Sequence, residues 1–142
     1  MKVGPVEVMI CAFRRSEVDP TVIDALREAV RPGAVTIIDL VLLWRDQFGV
    51  VHVRDLEDHL QEAWSGLIDH PRLLTLLSDT DLEVAAESIG NNETALVLAL
   101  EHRWAQHLSD AVQDSGGVTT LYARIPHDTV VAAVEAAGIS AT

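Results

Sequence analysis

Two stretches of the chain are apolar on both parities. In Val35 to Trp44, Ile37, Val41 and Leu43 fall on one side of an extended strand, with Ile38, Leu40, Leu42 and Trp44 on the other. Thr94 to Leu100 repeats the pattern. Strands of this kind are covered on both faces. Val6 to Phe13 is β-branched and ends at Arg14-Arg15-Ser16, which predicts a strand leaving the core. Asp19-Pro20 then opens a helix over 20–31 through Val22, Leu26, Ala29 and Val30, and Arg31-Pro32-Gly33 stops it. Arg45 to Gly49 supplies turn residues, and Val51 and Val53 alternate with His52 and Arg54 as a half-exposed partner strand.

Further on, Leu56, Leu60, Trp64 and Leu67 predict an amphipathic helix. Pro71 then precedes the apolar cluster Leu73, Leu74, Leu76 and Leu77 of a short second one. Thr80-Asp81-Leu82-Glu83 fits a capping box, with a helix to about Ile89 ended by Gly90-Asn91-Asn92. A helix bearing Trp104, Leu108, Ala111 and Val112 ends at Gly116-Gly117. Val118 to Ile125 predicts another strand, stopped by Pro126, and Asp128 caps a last helix through Val130, Val131, Val134 and Ala137.

The predicted order is β-α-β-β-α-β-α-β-α, a single α+β domain over residues 1–142 with an acidic helical insert over 55–78. Its first six elements form a ferredoxin-like split βαβ core, extended by an extra αβα in a mixed sheet. The strict version of that core leaves one sheet face open, whereas both faces of the two central strands are aliphatic here. Either the insert covers the second face or another copy of the chain does. Homo-oligomerisation is the preferred expectation, with Leu40, Leu42, Trp44 and Trp64 as the interface residues.

Charge narrows the partners. Ten basic against 22 acidic residues give a net charge of −12, which argues against a nucleic-acid partner. Residues 55–87 hold nine of the acids and a single Arg72, and this stretch suits a basic protein partner. The apolar runs are too short for a membrane span, and Asp39 interrupts the first. The lone Cys11 excludes an internal disulfide, and Glu7 breaks the apolar stretch after Lys2, so a cytoplasmic setting is expected.

Candidate chemistry is sparse. Asp39 sits inside an apolar strand, where a carboxylate needs a partner such as Arg124 or free backbone amides. Glu101 and His102 stand at a strand end, the usual place for a site in an open sheet. Asp39, Glu101, His102 and Arg124 are therefore the candidate polar cluster, with structural ion pairing as the simpler reading of each. His102 and His107 are five apart and do not share a helical face, so neither metal nor cofactor is expected. Asp79-Thr80-Asp81 lacks the glycine and the closing glutamate of a calcium loop.

Gly4-Pro5-Val6-Glu7, Ile38-Asp39-Leu40-Val41, Glu101-His102-Arg103-Trp104-Ala105 and Ala123-Arg124-Ile125-Pro126 together resemble an uncharacterised actinobacterial family, domain of unknown function 6325. That family is distantly similar to the general-stress and membrane-hairpin families around domain number 1269, which implies a stress-related setting. The Gly-rich membrane hairpin of the latter is missing here. The resemblance brings no activity with it. A non-enzymatic, homo-oligomeric structural or regulatory domain is the leading expectation. A small-ligand- or metal-dependent enzyme with its site at the strand ends or a subunit junction is the alternative.

Overall fold

The computed structural model describes residues 4–55, 64, 67 and 77–139. The chain divides into two units, 1–108 and 109–142. In chain order the elements are β1 (Val6–Phe13), α1 (Pro20–Val30), β2 (Val35–Arg45), β3 (Val51–Asp55), α2 (Asp79–Glu87), β4 (Thr94–His102), α3 (Arg103–Asp114) and α4 (His127–Ala136). The fold is α+β.

Among the described residues the strands make one four-stranded sheet in the order β1-β4-β2-β3, with every neighbouring pair antiparallel. The expected mixed sheet is thus corrected. β1 and β2 point the same way, but β4 lies between them, so no parallel pair forms. The element order β-α-β-β-α-β holds, while the two helices of that unit lie on opposite faces of the sheet. On one face Ile23 of α1 packs with Ile37, Leu40, Leu42, Leu96, Leu98, Trp64 and Leu67. On the other, Ala85 and Ile89 of the α2 region pack with Leu43, Ala95, Val97, Ala99 and Leu77.

Both faces of β2 and β4 are therefore covered from within the chain. Leu40, Leu42 and Trp64, expected at a subunit interface, are buried in the chain's own core. The cover is made by α1, α2 and the Trp64, Leu67 and Leu77 contacts, so the aliphatic strands no longer require a second copy to shield them. The two helices predicted between Leu56 and Leu76 lie outside the described residues, apart from Trp64 and Leu67.

A register shift between Ile37 and Asp39 marks a β-bulge in β2. It reverses the parity expected for two residues: Ile37 joins Leu40 and Leu42, and Ile38 joins Val41 and Leu43. One extra residue in a strand changes which face every earlier side chain takes.

Local signals set the helix starts. Asp19 caps α1 by accepting from the Thr21 amide, as its place before Pro20 predicts. The box at α2 falls two residues earlier than expected. Ser78 is the cap, its hydroxyl accepting from the Asp81 amide while the Asp81 carboxylate accepts from the Ser78 amide. At α4 the cap is Pro126, with no side-chain bond, and Asp128 stands in the first turn instead.

Val118 to Ile125 is the largest departure. It has no helix and no strand in the structure. A strand exists only against a partner edge, and none of the four strands of the sheet pairs with it. The extension beyond β4 is therefore helix, irregular segment, helix.

Candidate functional site

Asp39 enters the sheet through the bulge and sits opposite Ala99. Its side chain is buried. One carboxylate oxygen accepts from the Leu40 amide at 3.0 Å and the other from the Leu77 amide at 3.4 Å. Backbone donors thus supply the partners that an acid in an apolar strand needs.

Glu101 lies opposite Val6 and Thr36 on the same face as Asp39. It accepts from the Gly4 amide at 2.9 Å, a backbone donor where structural ion pairing was the simpler expectation. Gly4 is fitted tightly there, since a Cβ at this position would collide with the His102 carbonyl. The adjacent Pro5 carbonyl accepts from the His102 amide at 2.8 Å. Close backbone approach therefore fixes which donor reaches Glu101.

Successive residues of a strand point to opposite faces, so His102 turns away from Asp39 and Glu101. The Trp104 indole N–H donates to His102 Nδ1 at 3.3 Å. The His102 Nε2 lies 3.3 Å from the Glu7 carboxylate. Arg124 is exposed and lies in the second unit. Of the four candidates, the structure brings Asp39 and Glu101 to one face, puts His102 on the other, and gives the first three separate partners.

Among the described residues no group of three or more His, Cys, Asp or Glu side chains is placed to hold a metal ion. Cys11 packs beside the core, and burial pushes its thiol pKa up, as suits an inert side chain.

A second polar cluster was not singled out by the sequence. The Arg45 guanidinium donates to three carbonyls, those of Ile89 at 3.0 Å, Gly49 at 2.8 Å and Ala86 at 2.8 Å. It ties the C-terminal end of α2 to the β2–β3 turn. Gly49 there takes the left-handed backbone, φ +84°, which favours glycine.

Next to it, Asp46 accepts from the amides of Phe48 and Val50 and pairs with His52 Nε2 at 2.8 Å. The His52 bond, then the Val50 and Phe48 amides, hold the Asp46 carboxyl below its ordinary pKa. Trp44 stacks on His52 with ring centroids 4.5 Å apart, and Arg54 lies 5.1 Å over the Trp44 ring. Trp44, expected at an interface, thus contacts a histidine and an arginine of its own hairpin. The sequence shows Arg45 only as a turn residue, because two of its three acceptors lie 41 and 44 positions away.

No curated protein and no solved structure matches the chain. A family model matches residues 2–140, so the chain belongs to DUF6325, a family of unknown function.

Proposed function

We propose that the chain is a non-enzymatic, self-associating structural or regulatory domain. The observation that carries this reading is the exposure of the C-terminal apolar residues. Val118, Leu121 and Ile125 are 76%, 80% and 64% exposed within eight residues of one another. Apolar side chains grouped in this way mark contact surfaces. The geometry of the polar candidates supports the same reading, because Asp39, Glu101 and His102 serve the backbone and their own neighbours from two faces of the sheet.

The seat of association moves accordingly, from the sheet faces, which α1 and α2 occupy, to the edge and the C-terminal part of the chain. The exposed acids Asp79, Glu83 and Glu87 of α2 offer a face for a basic protein partner. A cytoplasmic setting suits a chain with one cysteine, and the element order up to β4 suits an elaborated split βαβ unit.

Static light scattering on the native chain at micromolar concentration tests the reading. The expected mass is a multiple of 15.5 kDa, falling on dilution. A mass that stays at 15.5 kDa at every concentration contradicts it.

A further inference from the structure

Among the described residues β1 is an edge strand of eight residues, paired on one side with β4. The Pro5 carbonyl bonds the His102 amide across that ladder, and Pro5 and His102 continue the register in which Val6 faces Glu101. In an antiparallel ladder the bonded residues alternate. Glu7, Met9, Cys11 and Phe13 therefore turn their backbone groups to β4, while Val6, Val8, Ile10 and Ala12 turn theirs outward. Val6, Val8 and Met9 also expose their side chains. A proline, a lysine or an inward charge would blunt such an edge, and β1 contains neither proline nor lysine. The opposite edge, β3, is shorter and carries His52 and Arg54.

Val118 to Ile125 matches this edge residue for residue. We propose that Val118 to Ile125 of one copy adds to the outer edge of β1 in a second copy as a fifth, antiparallel strand. This inference rests on the self-association reading and names its contact.

Setting Arg124 opposite Glu7 fixes the register. On the α1 face it puts Tyr122 opposite Met9, Thr120 opposite Cys11 and Val118 opposite Phe13. On the α2 face it puts Ile125 opposite Val6, Ala123 opposite Val8, Leu121 opposite Ile10 and Thr119 opposite Ala12. All eight positions of β1 are used: five pairs are apolar on both sides, Thr120 and Thr119 face Cys11 and Ala12, and Glu7, which also faces His102, meets the one base. A shift in either direction separates the ion pair and leaves an end unmatched. Thr119, Leu121, Ala123 and Ile125 supply the bonded backbone groups, and Pro126, which has no amide to give, falls just beyond the last pair.

The chain's single cysteine makes the register testable. Cys11 and Thr120 form a non-bonded pair in this register, with Cα atoms about 4.5 Å apart, within the span of a disulfide. Thr120→Cys, oxidised mildly near pH 8.5, should give a covalent dimer that a reductant reverses. Thr119→Cys, on the other face, should not, and adding Cys11→Ser to Thr120→Cys should abolish the dimer. An internal disulfide in a monomeric Thr120→Cys chain overturns exchange in favour of closure within one copy. No disulfide in a chain that light scattering shows to be dimeric overturns the inference and leaves self-association standing. A monomer without a disulfide overturns both. Equal cross-linking of Thr119→Cys and Thr120→Cys overturns the register.

Discussion

Arg45 is the residue on which the β2–β3 end of the molecule turns. Its guanidinium satisfies two carbonyls at the end of α2 and one in the hairpin turn, an arrangement that a lysine's single ammonium cannot reproduce. Arg45→Ala should lower the unfolding free energy by about 2–4 kcal/mol, through lost charge-assisted bonds and stranded helix-end carbonyls. Arg45→Lys should recover only part of this. Urea unfolding with unchanged slope reads both, and a midpoint equal to that of the parent chain would contradict the role.

Three half-buried acids at helix caps and the β2–β3 turn set the acid limb of stability. The Thr21 amide and hydroxyl lower Asp19, the His52 bond lowers Asp46, and the Ser78 amide and hydroxyl lower Asp81. Each native carboxyl binds its proton less readily than the unfolded one. Their contribution is complete above the unfolded carboxylate pKa, about 3.9, and is lost as pH falls through the lower native values. The urea midpoint should therefore drop between about pH 5 and pH 2.5, less steeply in Asp46→Asn. A midpoint independent of pH over that range would contradict these assignments.

At the scale of elements, small residues let α2 lie close against the sheet. Ala85 is fully buried against a face that includes Ala95 and Ala99. Ala85→Leu should overpack this layer and destabilise by about 1–3 kcal/mol, read as a fall in melting temperature. An unchanged melting temperature would mean that the helix stands further off than described.

Most of these elements are legible in the sequence, because apolar runs on both parities and cap residues act locally. Asp19-Pro20 marks α1, and Thr94 to Leu100 marks the buried core of β4. The bulge at Ile37 to Asp39 is not legible, since Ile38 is apolar on either face. The shift of the α2 cap to Ser78 escapes for a related reason, because Ser78-x-x-Asp81 and Thr80-x-x-Glu83 are both plausible boxes. Of the candidate site, the need of Asp39 for a partner is legible in the sequence, because a carboxylate stands inside an apolar strand, but the choice between Arg124 and backbone amides is not. The Gly4 bond to Glu101 is not legible either, because it joins positions 97 apart.

At the scale of the whole molecule, the doubly apolar strands are satisfied by α1 on one face and α2 on the other. Among the described residues β1 is an eight-residue edge of the sheet, and Val118, Leu121 and Ile125 are exposed apolar residues of an eight-residue segment with no regular structure. The strand predicted over Val118 to Ile125 is not formed in the single chain, and on the proposal made above it forms when the segment pairs with β1 of a second copy. Its order should therefore depend on concentration, in a way that the order of β4 does not.

Amide hydrogen exchange along the chain, followed as the sample is diluted, tests this most directly. The account predicts that the amides of Thr119, Leu121, Ala123 and Ile125, with Val6, Val8, Ile10 and Ala12, are protected in the concentrated sample and lose that protection together on dilution. Exchange of Val118 to Ile125 at the rate of an open chain at every concentration would contradict it.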